Sequence, residues 1–282
     1  MATKKVLASV AQFCAGNNVG KNLETVLELI KEGSRRGSEM IFFPEASDYI
    51  AENKQQGLEL AQKIDGEFLT SIRQSAKQHK LWLSIGVHEL AEGDRPYNSN
   101  VVVDNNGEIV SVYRKLHLFN VNIKNGPQIS EANTTSEGSG VVKPIDTPVG
   151  KLGLAICYDV RFPELALALR ELGSQGIAYP SVFTEKTGAA HWHVLMRARA
   201  IETQCYVYSS AQIGNHNAKR SSYGCSMIID PWGTVIAHCP SNNEPSLATA
   251  EIDLEYVEKV RGQIPVFENR RRDVFRTNYD LL

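Results

Sequence analysis

Three ionisable residues occupy the same kind of place in this sequence. Glu45 follows the apolar stretch 40–43, Lys115 follows a stretch ending in Tyr113-Arg114, and Cys157 follows the stretch 152–156. In α/β sheets, ligands bind outside the carboxyl ends of strands, so the three are placed to converge. The chemistry they offer is complementary. A thiol at a helix N-terminus, here one that Pro163 can open, is shifted toward the nucleophilic thiolate. A carboxylate can take the thiol proton and return it to a leaving amine. An ammonium can stabilise the oxyanion of a tetrahedral intermediate.

Singly, each residue has an ordinary reading: a core thiol, a solvated edge charge, a helix-start carboxylate. Their conjunction is what points to a cysteine hydrolase. Histidine is the commoner base for a catalytic cysteine, and the chain has seven, so a Cys–His hydrolase stays open on composition. His117 reads as a loop hydrogen-bonding residue and His191 as a helix-start residue. The segment from Gly16 to Asn22 has the glycines of a phosphate loop at the wrong spacing and lacks its Ser/Thr. It reads as the polar approach to a helix. No GxGxxG or GxSxG occurs.

The elements that must position these residues alternate. Strands are expected at 6–13, 40–43, 81–87, 152–156, 176–179, 204–212 and 247–252. Helices are expected around Leu23, Val26, Leu27 and Ile30, ending near Gly33, around Phe68 to Ala76, and at 163–172, 189–203 and 254–261. The turn Asn105-Asn106-Gly107 joins a hairpin of 100–104 and 108–114, and Asp230-Pro231-Trp232-Gly233 joins another. Residues 120–140 form one long polar loop, and long loops in compact domains are often functional. This is an α/β pattern with a mixed sheet or two sheets, without internal repeat or dividing linker.

The whole-chain figures narrow the partners. With 282 residues, 42% apolar and 22% charged, the chain can bury a sizeable core. Its formal net charge of -2 argues against nucleic acid or an anionic membrane surface as the main partner. The five cysteines have no CxxC pair and no zinc spacing, so neither a disulfide scaffold nor a metal site is expected. The N-terminus runs straight into an apolar strand. A cytoplasmic protein is therefore expected, and a mitochondrial form is unsupported.

Three blocks then resemble a known family. Phe43-Pro44-Glu45-Ala46, Tyr113-Arg114-Lys115-Leu116-His117-Leu118 and Cys157-Tyr158-Asp159-Val160-Arg161-Phe162-Pro163-Glu164 are similar, in content and order, to the signature blocks of the nitrilase superfamily of carbon–nitrogen hydrolases. Within it, the segments 43–50, 197–207 and 219–224 look like the deaminated glutathione amidase family, with the ω-amidases as a sister group. One departure is His193, where that family has an acidic residue after His-Trp.

The resemblance implies a four-layer α–β–β–α sandwich, one hydrolase domain over 1–282 with 265–282 as a packing tail, and association into a homodimer or higher homo-oligomer. It implies Cys157 as nucleophile, Glu45 as general base and acid, Lys115 as oxyanion stabiliser and Glu131 as a supporting carboxylate. No metal or organic cofactor is implied. The implied substrate is a small anionic amide: deaminated glutathione, cut to 2-oxoglutarate and cysteinylglycine through a thioester. The alternative is α-ketoglutaramate or a related short ω-amide. Arg161, Tyr158, Phe183, Thr184, Lys186 and His191 are the expected substrate contacts. A non-catalytic scaffold and a thiol sensor on the same fold are the readings from other classes.

Overall fold

A computed structural model describes residues 5–90, 93, 95–122 and 128–275; the expectations for 1–4, for 123–127 of the polar stretch and for 276–282 of the tail lie outside the described residues. The first half of the chain runs β1 (Val6–Phe13), α1 (Val19–Arg35), β2 (Met40–Phe42), α2 (Lys54–Leu60), α3 (Glu67–His79), β3 (Trp82–Glu89), β4 (Tyr97–Val103), β5 (Ile109–Arg114), β6 (Asn120–Asn122) and β7 (Gln128–Ser130). Then come β8 (Ile145–Thr147), β9 (Gly150–Leu154), a 3-10 turn (Cys157–Arg161), α4 (Pro163–Glu171), β10 (Gly176–Ala178), α5 (Glu185–Thr203) and β11 (Tyr206–Ser209). The chain continues through β12 (Ala211–Asn217), β13 (Arg220–Tyr223), β14 (Met227–Ile229), β15 (Val235–His238), β16 (Ser246–Ile252) and α6 (Leu254–Gln263).

Two mixed sheets form the centre. One is ordered β13–β12–β1–β2–β3–β4–β5, with β16 also paired to β1; the other is ordered β15–β14–β11–β10–β9–β8. The segment β12–β1–β2–β3 of the first sheet and the segment β9–β10–β11 of the second are parallel.

Strand β2 shows how the layers arise. Met40 and Phe42 belong to the core between the sheets, while Ile41 and Phe43 pack with Val26 and Ile30 of α1 and Ile72 of α3. That is the alternation a strand imposes on its side chains. Phe42 stacks on Tyr208 of the facing sheet with ring centroids 4.1 Å apart. On the far face of the second sheet, Leu165 and Leu169 of α4 and Trp192 and Met196 of α5 close the core. The layers are helix, sheet, sheet, helix: the expected four-layer sandwich.

Several local expectations are corrected. The stretch 204–212 is two strands: the chain leaves the second sheet after Ser209 and enters the first at Ala211. Ser210 marks the switch, its hydroxyl donating to Phe43 O at 2.8 Å. Helix α1 starts earlier than its apolar stripe, because Asn18 caps it by accepting the Lys21 N–H at 3.0 Å. Gly33 lies inside that helix rather than ending it; a Cβ there would meet the Ile41 side chain at 2.3 Å. Helix α5 starts at Glu185 with Thr184 as N-cap, four residues before the expected 189, so Lys186 lies on its first turn. Helix α2 and strands β8 and β13 lie outside the expected set, and the polar stretch opens with the β6–β7 hairpin.

The Gly16–Asn22 segment is tied into the start of α1. Asn22 accepts from the Gly16 N–H at 3.1 Å and donates to Gly16 O at 2.9 Å and Asp48 O at 2.8 Å. Residues 265–275 return to α4, where Arg272 pairs with Glu171 at 2.7 Å. Among the described residues, no helix is long and apolar enough to cross a membrane.

Candidate active site

The sheet that contains β2, β3, β4 and β5 delivers two of the polar groups, and the second sheet delivers the thiol. Beyond β2 the chain still pairs with β3: Phe43 N–H donates to Ser84 O at 2.7 Å, and Ser47 N–H donates to Gly86 O at 2.8 Å. This places Glu45 directly against Gly86. A Cβ at Gly86 would lie 2.5 Å from the Glu45 Cα, so the approach requires glycine. Ala46, next in the chain, has φ 55, which turns the backbone away from the strand direction.

Lys115 is the first residue beyond β5 and is nearly removed from solvent, its side chain 2% exposed. Its Nζ lies 2.9 Å from Glu45 Oε1 and 2.9 Å from Glu131 Oε2. Glu131 opens a 3-10 turn directly after β7 and also accepts the Phe119 N–H at 2.7 Å. Asn98 bridges the two carboxylates, donating to Glu45 Oε1 at 2.6 Å and to Glu131 Oε1 at 3.1 Å. The second Glu45 oxygen accepts the Val182 N–H at 2.7 Å.

Cys157 sits at φ 45, a left-handed conformation that costs a non-glycine residue about 1–3 kcal/mol and persists only where surroundings enforce it. Its N–H donates to Pro180 O at 2.9 Å, and its Sγ lies 3.8 Å from Val182 O. Val182 therefore touches the thiol with its carbonyl and Glu45 with its N–H. The structure brings Glu45, Lys115, Glu131 and Cys157 into one buried cluster.

The charges follow from this packing. Burial opposes an ammonium at Lys115, but the Glu45 and Glu131 carboxylates outweigh it and hold its pKa well above the ordinary lysine value. Burial likewise opposes a charge on Glu131, yet Lys115 and the Phe119 N–H outweigh it, so the carboxyl stays below its ordinary value. At Cys157, burial and then the negative Glu45 push the thiol well above its ordinary value, despite the pull of Lys115. The expectation of a helix-activated thiolate is thus corrected. Only a five-residue 3-10 turn starts at Cys157, α4 begins at Pro163, and the resting sulfur is a thiol that needs a base.

The remaining expected contacts lie on the 3-10 turn after Cys157 and on the approach and first turns of α5. Tyr158 follows Cys157 and meets Phe119 edge-on, with centroids 5.0 Å apart. The Arg161 guanidinium lies 5.9 Å from the Tyr158 ring and 5.6 Å from the Phe183 ring, and its Nη2 is 3.2 Å from His191 Nδ1. Thr184 caps α5, its hydroxyl 2.8 Å from that of Thr187. Lys186 is exposed on the first turn of α5. His193 faces elsewhere on that helix: burial, His238 and Arg197 hold its pKa down, and its ring meets Tyr223 edge-on.

Sequence reasoning missed Asn98 and the structural weight of Asp159. Asn98, Ser99 and Asn100 are buried polar residues opening the otherwise valine-rich strand β4, and that is the signal that could have marked them. Among the described residues, no group of three or more His, Cys, Asp or Glu side chains could hold a metal ion.

The family model described as carbon-nitrogen hydrolase matches residues 7–262. The chain is 49% identical over 275 residues to "Probable hydrolase nit2" of Schizosaccharomyces pombe, covering 96% of this chain and 99% of that protein. It is 46% identical over 274 residues to the Bos taurus protein named deaminated glutathione amidase, covering 95% of this chain and 83% of that one. Among solved structures, the Caenorhabditis elegans NitFhit protein superposes with a TM-score of 0.92 at 43% identity, covering 98% of this chain and 67% of that chain.

Proposed function

The chain belongs to the carbon–nitrogen hydrolase family of the nitrilase superfamily and is an amide-hydrolysing enzyme, and from that premise we propose that its substrate is deaminated glutathione. The observation that carries the catalytic reading is the placement of Glu45 against both Lys115 and Val182, whose carbonyl meets the Cys157 sulfur. The relatives' names support the substrate.

In the proposed cycle, Glu45 takes the Cys157 thiol proton as the sulfur attacks the amide carbonyl. A carbon–sulfur bond forms, and the carbonyl electron pair becomes an oxyanion held by Lys115 Nζ and the Tyr158 N–H. The carbon–nitrogen bond breaks, and Glu45 gives its proton to the leaving amine of cysteinylglycine. Glu45 next takes a proton from water as that water attacks the thioester. The second tetrahedral intermediate collapses, 2-oxoglutarate leaves, and the proton returns to sulfur. Glu131 keeps Lys115 charged and directed toward Glu45. Arg161, with Tyr158, Phe183, Thr184, Lys186 and His191 around it, takes the substrate carboxylates.

The experiment is a comparison of kcat/KM on deaminated glutathione and on α-ketoglutaramate. A clear preference for deaminated glutathione is expected; a large preference for the smaller amide would move the assignment to ω-amidase.

The same reading extends to the whole chain. One hydrolase domain spans the chain, and residues 265–275 are its packing tail, which the Arg272–Glu171 pair supports. Copies associate through the outer side of α5. Val194, Ile201, Trp232 and Ile236 are all exposed there, and the Arg197 Nε donates to Gly233 O at 2.8 Å, joining the helix to the β14–β15 turn. A cytoplasmic setting fits five free cysteines.

A further inference from the structure

Asp159 is fully buried, and its carboxylate collects four donors from two separate parts of the chain. Oδ2 accepts the Ile156 N–H at 2.9 Å and the Tyr113 hydroxyl at 2.7 Å. Oδ1 accepts the His117 N–H at 3.1 Å and lies 2.7 Å from His117 Nδ1. A buried carboxylate is tolerated when donors replace its water, and here the donors are placed with a pattern. Tyr113 and His117 stand two residues either side of Lys115, and Ile156 immediately precedes Cys157. The His117 ring then stacks on Phe162 at 3.7 Å, and Arg199 Nε donates to Val160 O at 2.9 Å. The turn that carries the thiol is thus gripped at Ile156, Asp159, Val160 and Phe162, and two of the grips come from the residues that flank the lysine.

We propose that Asp159 is a positioning residue that locks the Cys157 turn and the Lys115 segment into one frame, acting through Tyr113, His117 and Ile156. The proposal rests on the assignment of Cys157 as nucleophile and Lys115 as oxyanion stabiliser. It explains how a thiol from one sheet and an ammonium from the other keep a fixed separation, although no bond joins them directly. A misplacement of the order of 1 Å between reacting groups costs about a hundredfold in rate, so loosening this frame should fall on kcat rather than on KM.

The test uses variants that remove donors one at a time, with deaminated glutathione as substrate. Tyr113→Phe deletes only a hydroxyl, His117→Ala removes the ring donor and the stack, and His117→Asn keeps an N–H near the Nδ1 position. Expected are losses in kcat of about tenfold for Tyr113→Phe and His117→Ala with KM nearly unchanged. Iodoacetamide alkylation of Cys157 should slow in parallel, and His117→Asn should recover most of the loss. Wild-type kcat in Tyr113→Phe and His117→Ala, with circular dichroism showing both folded, overturns the proposal. So does a loss that tracks melting temperature alone without recovery in His117→Asn. Cys157→Ala is the control that separates the two levels. If it is inactive while the donor variants keep full kcat, only the positioning role falls; if it turns over substrate, the nucleophile assignment falls as well.

Discussion

The Lys115 ammonium and the Glu45 carboxylate touch at 2.9 Å in a place where both are almost removed from water. Neither charge is tolerable there alone. The pair is completed by Glu131 at 2.9 Å, so the lysine sits between two carboxyl groups beside the thiol.

Removing the lysine should therefore harm both activity and stability. Lys115→Met leaves two buried carboxylates uncompensated, and breaking such a pair costs about 3–5 kcal/mol of stability. Loss of an oxyanion donor lowers kcat by about 10²–10³-fold. Glu131→Gln keeps the shape and leaves Glu45 to pair with Lys115, so a smaller loss in kcat, of about 10–100-fold, is expected. Steady-state kinetics with urea unfolding of both variants checks the order; equal damage from both would contradict the division of roles.

The pH dependence follows from the direction of each shift. Glu131 is held below the ordinary carboxyl value of 4.5, so the unfolded chain binds its proton more readily than the native one. Its contribution to stability is present above that value and is lost as pH falls through the native one. Urea midpoints measured on acidification should fall less steeply in Glu131→Gln. Cys157 is shifted the other way, above 9.0. The ultraviolet difference between wild type and Cys157→Ser should show no thiolate at neutral pH. A thiolate signal there would mean a resting ion pair with Lys115 and would remove the need for Glu45 as the first base.

Gly86 offers a test of placement by backbone alone. An added Cβ would meet the Glu45 Cα at 2.5 Å and Pro44 O at 2.8 Å, neither of which can rotate away. Gly86→Ala should keep the fold and lower kcat by about tenfold or more through displacement of Glu45. Unchanged kinetics would show that the Glu45 backbone position is not what sets its role.

The proposed association face can be tested with single charges. Ile201→Arg and Trp232→Glu each place an ion on the exposed apolar strip of α5 and the β14–β15 turn. Sedimentation velocity should show wild type as a dimer or larger species and both variants shifted toward monomer. A monomeric wild type, or variants that sediment like it, would contradict association through this face.

How much of this was legible in the sequence depended on how local each feature is. The apolar strand 40–43 and the apolar helix stripes are short-range patterns and gave an α/β chain with a mixed sheet or two sheets, while the four layers were expected only from the resemblance of the three signature blocks. Glu45, Lys115 and Cys157 stood out because each follows an apolar strand. The protonation state of Cys157 was not legible, because it is set by burial and by Glu45, which is distant in sequence. Asn98 was hidden for the same reason: its partners, Glu45 and Glu131, lie on other elements. The sheet change at Ser210 is marked only by the pair Ser209-Ser210, which does not by itself tell a switch of sheets from one continuous strand. Helix α5 was expected to start too late, at 189, because Thr184 caps it before its apolar pattern begins.

The claim on which the rest depends is a covalent bond to Cys157. Wild type and Glu45→Gln mixed with deaminated glutathione, quenched in acid and digested, can be examined by peptide mass spectrometry. The expected result is a 2-oxoglutaryl group on the peptide carrying Cys157 in the wild type during turnover, and its absence in Cys157→Ser. Steady turnover with no acyl group on that peptide and full activity in Cys157→Ser would contradict it.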